Sequence, residues 1–154
     1  PITPTPDLKP LSDAELTRLN AWLAADLPDG LSTAERLSRL RKIQRDERVL
    51  GIHHQGQLVA AAVVDWATDP VHLESIVVNR AHRRQQWGRS LLNALLARSH
   101  AMGAHGIRLT VRRSQAATIA FYTALNAQPG RVRPQYYPDD DGLEMWIASH
   151  PTAR

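Results

Sequence analysis

The stretch 73–96, LESIVVNRAHRRQQWGRSLLNALL, constrains this chain more than any other. It passes from an apolar strand through a basic turn into an amphipathic helix, with Leu91, Leu92, Leu95 and Leu96 on one face. At the start of such a helix several backbone N–H groups lack an intrahelical partner, and the helix dipole adds partial positive charge there. With Arg80, His82, Arg83, Arg84 and Arg89 around it, the turn predicts a seat for phosphate. A strand leading into a phosphate seat implies a nucleotide-like cofactor laid against that strand.

The remaining pattern supplies the frame. Ser12, followed three residues later by Glu15, predicts a helix to about residue 25, with Leu16, Leu19 and Leu23 as its buried stripe. Pro28, Asp29 and Gly30 predict a turn, and Ser32 caps a second helix to about residue 46, with Leu37, Leu40 and Ile43 facing inward. Residues 1–10 carry four prolines and read as a loop or a short edge strand. Strands are expected over 48–54 and 57–66 around the turn Gln55-Gly56, then over 71–78. A helix over 88–102, a strand over 107–112 and a helix over 115–126 follow. Pro129-Gly130 is read as a turn into strands 131–137 and 143–149. This order predicts a mixed α/β fold: a mostly antiparallel twisted sheet of about six to seven strands with helices on both faces. All 154 residues are read as one domain.

Composition excludes several kinds of chemistry. With no cysteine there is no disulfide, thiolate metal site or cysteine nucleophile. No apolar run approaches the ~20 residues of a membrane span, and no signal-peptide pattern opens the chain, so a cytoplasmic location is expected. Of the 19 basic residues all but Lys9 and Lys42 are arginine, and they are scattered, which argues against a nucleic-acid surface. His53 and His54 are strand neighbours pointing to opposite faces, and His100 and His105 lack ligand spacing, so no metal is predicted.

Arg83-Arg84-Gln85-Gln86-Trp87-Gly88, followed by Arg89-Ser90, resembles the acyl-CoA-binding signature of the GNAT N-acetyltransferase superfamily. That signature is Gln or Arg, two residues, Gly, one residue, then Gly or Ala. Arg83 and Gly88 match its ends and Val78 matches the valine closing the strand before it, whereas Gln86 stands where the family has Gly. The run from Gln115 to Tyr122 resembles the family's N-x-x-A-x-x-x-Y helix, with Gln for Asn at its head, and Leu125-Asn126-Ala127 replaces the usual Leu-Gly-Phe. Tyr136-Tyr137-Pro138-Asp139-Asp140-Asp141-Gly142 and Met145 are similar to a hairpin of the ribosomal-protein N-terminal acetyltransferases. The resemblance covers about residues 49–148.

It implies acetyl-CoA as cosubstrate and a primary amine as acceptor, either a protein or peptide N-terminus or a small-molecule amine, with no metal, in a monomer or homodimer. Amides across Gln86, Trp87, Gly88, Arg89 and Ser90 would hold the pyrophosphate, with Arg83, Arg84 and Gln85 beside them and Gln115 also on the cofactor. The strand residues Ile76, Val77 and Val78 would grip the pantetheine arm. Tyr122 is implied as general acid, since a phenol with a pKa near ~10 keeps its proton at neutral pH; the alternative is that it merely fills the apolar face of its helix. Glu74, alone in an apolar strand, is the candidate base, directly or through a water; the alternative is that it is simply a solvated strand residue. The ribosomal-protein enzymes carry Glu where this chain has Thr110, which cannot act as a base. A weak base suits an α-amine, with pKa ~7.7–8.0, better than a lysine at ~10.4. Tyr136 and Tyr137 either wall the acceptor's N-terminus or form aromatic cross-strand pairs. Asp139, Asp140 and Asp141 either draw a cationic amine or form an ordinary turn. Two other readings stay open: a degenerate CoA-binding sensor or scaffold, and an acetyltransferase for a tRNA-borne amine.

Overall fold

The computed structural model describes residues 7–26 and 30–149. Most of the proline-rich opening, and Pro28 and Asp29 of the expected turn, lie outside them. The seven strands run in the order β1-β2-β3-β4-β5-β7-β6. The pairs β1–β2, β2–β3, β5–β7 and β6–β7 are antiparallel, and β4–β5 is parallel. The chain divides into two compact units, Pro1–Val64 with Ser75–Leu95, and Asp65–Glu74 with Leu96–Arg154.

The first unit holds β1 (Lys9–Pro10), α1 (Asp13–Asp26), α2 (Thr33–Gln44), β2 (Val49–His54), nearly all of β3 (Gln57–Asp65), the end of β4 (Val71–Val78) and most of α3 (Trp87–Ala101). Both early helices start on a reciprocal capping box. The Glu15 amide donates to Ser12 Oγ at 3.2 Å and the Ser12 amide to Glu15 Oε1 at 2.9 Å; Ser32 and Glu35 do the same at 3.1 and 2.9 Å. Leu16, Leu19, Leu23, Leu40 and Ile43 meet Val49, Leu58, Ala61, Val63 and Val77 in one core, with Trp22 and Leu37 at its margin. Each fully buried leucine there is worth about 1.5–3 kcal/mol. Gln55 and Gly56 both have positive φ, 53° and 78°, the requirement of the tight hairpin turn that joins β2 to β3. Along α3, Leu91, Leu92 and Leu95 are sealed as expected, while Leu96 is only half-buried.

The second unit carries β5 (Gly106–Arg112), α4 (Ala116–Ala124), β6 (Gln128–Tyr137) and β7 (Asp140–Ala148). β5 pairs with β7 along its whole length, from Gly106↔Ala148 to Arg112↔Gly142. Its parallel ladder with β4 is recorded at Val71↔Ile107 and His72↔Arg108. Pro129 and Gly130 lie inside β6, not in a turn, because β6 is the last strand of the order and an edge strand tolerates a missing N–H. The strand therefore opens at Gln128, where Arg131 was expected. The real turn is at Pro138 and Asp139, and β7 starts at Asp140 where Leu143 was expected.

Candidate functional site

Between β4 and α3 the chain makes a single 3₁₀ turn (Arg80–His82) and then a bend. Asn79 organises its entry: its amide donates to the Val59 carbonyl at 2.8 Å and its side chain accepts from the Ala81 amide at 3.2 Å. Arg84 and Gln86 then sit at φ 66° and 67°, in the left-handed region. Each such non-glycine residue costs roughly 1–2 kcal/mol. The position where the family signature has Gly thus needs glycine's conformation here, and Gln86 adopts it under strain. The first helical bond of α3 runs from the Ser90 amide to the Gln86 carbonyl at 3.0 Å. Among the described residues the amides from Gln86 to Arg89 have no hydrogen-bond partner. Left-handed residues flanking free N–H groups at a helix start form an anion-binding concavity.

Trp87 is the first residue of α3. Its ring lies 4.9 Å from that of His54, and its Nε1 donates to Gln85 Oε1 at 3.2 Å, so Trp87 walls one side of the bend. His53, its neighbour, turns instead to Glu15, at 2.7 Å from Nε2. The two histidines thus have separate partners. No group of three or more potential metal-ligating His, Asp or Glu residues occurs among the described residues.

The arginines divide into two sets. Arg80 and Arg83, expected at the phosphate, pair instead with the two oxygens of Asp26 at the end of α1, and Arg83 Nε also donates to the Val78 carbonyl at 3.3 Å. Arg84 and Arg89 are exposed and make no ion pair among the described residues. The pairing with Asp26 was not foreseen, because 57 positions separate it from Arg83 and no local pattern links them.

In the second unit α4 places Tyr122 on its inner face, 5% exposed. Burial pushes its phenol well above the ordinary value. No described residue hydrogen-bonds its hydroxyl. Its ring packs edge-on against Phe121 at 5.1 Å. Gln115 sits at the N-cap of α4 without a side-chain capping bond to a backbone amide; its Oε1 accepts instead from the Thr118 hydroxyl at 3.4 Å. Past the helix Asn126 takes φ 71°, and the Ala127 amide returns to the Tyr122 carbonyl at 3.0 Å. Asn126 therefore does the conformational work of the glycine in Leu-Gly-Phe, since asparagine tolerates this region.

Glu74 is half-buried on β4. Thr110 pairs with Glu144 across the β5–β7 ladder. That carboxylate is bound by Arg133 at 2.8 Å and Arg131 at 3.4 Å, which hold it below the usual glutamate range and leave it a poor base. Tyr136 and Tyr137 meet edge to face at 5.0 Å, although strand neighbours ordinarily point apart. The cause is a break in register between Arg133 and Tyr137, with Gln135 at φ 51°. The expected cross-strand aromatic pairs are absent among the described residues. Instead Arg112 lies over Tyr137 at 4.3 Å and Arg133 over Tyr136 at 5.5 Å, while Tyr137 donates to the Thr110 carbonyl at 3.2 Å. The three aspartates fasten this hairpin. Asp139 pairs with Arg112, Asp140 accepts from the Ser114 hydroxyl at 2.6 Å and Asp141 from the Gln135 amide at 2.9 Å. Among the described residues no helix is long and apolar enough to cross a membrane.

Comparison with known proteins places this geometry. Residues 16–126 match the acetyltransferase (GNAT) family model. Over 89 residues, 58% of its length, the chain is 36% identical to the [ribosomal protein bS18]-alanine N-acetyltransferase of Escherichia coli K12, and the match spans 60% of that protein. The solved structure of the ribosomal-protein-S18-alanine N-acetyltransferase from Escherichia coli superposes with TM-score 0.77 at 24% identity, covering 96% of each chain. That of yncA from Salmonella typhimurium, which includes its cofactor acetyl-CoA, superposes with TM-score 0.72 at 20% identity over 98% of each chain. With the signature bend, the tyrosine helix and the fold in agreement, this chain belongs to the acetyltransferase (GNAT) family.

Proposed function

We propose that this protein transfers the acetyl group of acetyl-CoA to a primary amine, an α-amine at a peptide or protein N-terminus, by direct attack in a ternary complex. The observation that carries the reading is the run of unpartnered amides from Gln86 to Arg89 at the head of α3, entered through the left-handed residues Arg84 and Gln86. That concavity suits a pyrophosphate. In this reading the amides of Gln86–Arg89 bind it, the Ser90 amide being engaged instead by the Gln86 carbonyl; Arg84 and Arg89 add charge, and Gln85, Trp87 and Gly88 shape the bend. Ile76, Val77 and Val78, on the half of β4 that leads into the turn, line the pantetheine arm through their backbone. Gln115 sits at the head of the helix that carries Tyr122.

When bound, acetyl-CoA supplies an acyl group activated as a thioester. The protein's residues manage the protons. Tyr122 holds its proton throughout the neutral range and gives it to the departing sulfur. Glu74, through a water, takes the proton the amine must lose. A carboxylate is a modest base, which fits an α-amine already roughly one-tenth neutral at pH 7. Tyr136 and Tyr137, braced by Arg112 and Arg133, wall the acceptor. That relatives carry the name alanine N-acetyltransferase supports the same acceptor class. The cytoplasm is the matching location.

A thiol-release assay with acetyl-CoA and a panel of N-terminal peptides tests this. Turnover with an α-amine peptide is expected, and failure of well-folded protein to bind CoA in calorimetry refutes it. A CoA-binding sensor is the second reading, favoured by Thr110, which cannot replace a glutamate base. CoA binding without turnover of any amine would establish it.

A further inference from the structure

We infer that Asp26 is a positioning residue for the phosphate turn, an assignment that rests on the acetyl-CoA reading above. The turn carries two strained residues, Arg84 and Gln86, and no glycine at either place. Something outside the turn must hold it in that shape. Asp26 is the one described residue from a distant part of the chain that ion-pairs with it, and both carboxylate oxygens are engaged: Oδ1 by Arg80 at 3.2 Å, Oδ2 by Arg83. Arg83 is pinned a second time by the Val78 carbonyl. Its guanidinium is thus engaged both by Asp26 and by the strand that enters the turn. Asp26 is 21% exposed at its side chain, whereas Arg80 and Arg83 are 73% and 44% exposed, so each pair is partly open to water and individually modest.

Arg83 therefore acts as a tie and not as a phosphate ligand, leaving Arg84 and Arg89 as the cations offered to the anion. The tie stands in for glycine. A chain with Gly at position 86 reaches the left-handed conformation unaided, whereas this chain holds a glutamine there by anchoring the residues just before it to the end of α1.

The test uses the full chain with Asp26→Asn, Gln86→Gly and the two combined. Two quantities are read: the dissociation constant for CoA by calorimetry, and hydrogen exchange of the Ser90 amide in the unliganded protein. That amide is bonded to the Gln86 carbonyl, so it reports whether residue 86 keeps its conformation. Asp26→Asn is expected to weaken CoA binding by about three- to tenfold and to speed Ser90 exchange by a similar factor, the effect two partly shielded ion pairs can supply. Adding Gln86→Gly should restore both, which a merely structural role for Asp26 would not produce. Tighter CoA binding in Asp26→Asn would overturn the inference, because Asp26 would then be competing with phosphate for the arginines. Unchanged Ser90 exchange, or no rescue by glycine, would overturn it as well. If the parent protein binds no CoA, the acetyl-CoA reading fails, and the exchange arm still decides whether Asp26 holds the turn.

Discussion

Replacing Tyr122 with phenylalanine separates packing from chemistry at the residue on which the proposed reaction turns. The side chain is 5% exposed and its ring packs on Phe121, so phenylalanine keeps every apolar contact. Only the hydroxyl is lost, and no described residue bonds to it. Stability should change by less than about 1 kcal/mol, a shift of no more than roughly 2–4 °C in Tm for a chain of this size. kcat should fall by roughly 10–100-fold, or about 1.4–2.7 kcal/mol of barrier, with KM for acetyl-CoA little changed. Thiol release at saturating peptide measures this, with Tm recorded on the same sample. An unchanged kcat in folded Tyr122→Phe refutes the acid role. The pH profile gives a second check. Burial raises the phenol's pKa, so kcat/KM should climb as the acceptor amine deprotonates near pH ~8 and then hold level to at least pH ~10. Stability follows the same shift: above pH ~10 the unfolded chain loses this proton while the folded one retains it, so stability falls as pH rises from there. Tyr122→Phe should flatten that alkaline loss.

Glu74→Gln should lower activity by a factor that shrinks as pH rises, because the amine then deprotonates unaided; a pH-independent loss assigns Glu74 to binding or structure. Gly142→Ala brings a Cβ within 2.8 Å of Thr110 Cγ2 and 2.9 Å of Tyr136 Cβ. It should cost roughly 1–3 kcal/mol and raise the peptide KM while leaving the CoA dissociation constant unchanged. An unaltered peptide KM would remove Tyr136 from the acceptor wall. Asn126→Ala should destabilise by about 1–2 kcal/mol in denaturant unfolding and Asn126→Gly should not, since only alanine is strained at φ 71°. Equal midpoints for the two would show that this conformation is not what position 126 requires.

The features legible in the sequence were those written in short-range spacing. Ser12 with Glu15, and Ser32 as a cap, announced two helix starts because capping is written within four residues; Glu35, which completes the second box, emerged only in the structure. The leucines of α1 and α3 announced which faces are buried by their recurrence at three and four positions. What was missed depends on distant partners. Asp26 meets Arg83 only once α1 and the turn are folded, and Glu144 meets Arg133 only across a hairpin whose register breaks. Pro129-Gly130 read as a turn because that dipeptide usually is one; only the position of β6 at the sheet edge makes it a strand.

Two of the departures from the family's residues, at positions 86 and 126, have a common explanation. At position 86 and position 126 the family pattern has glycine, and this chain has glutamine and asparagine. Both adopt the positive φ that glycine would supply, 67° and 71°. The motif is therefore a pair of backbone conformations, for which a glycine is the usual and cheapest carrier. Asparagine reaches that conformation at small cost, so Asn126 needs no external support. Glutamine does not, and it is beside Gln86 that the chain places an ion-paired anchor from another helix. A residue mismatch in the signature thus weakens the family assignment less than its spelling implies, and it marks where compensating contacts have to be sought.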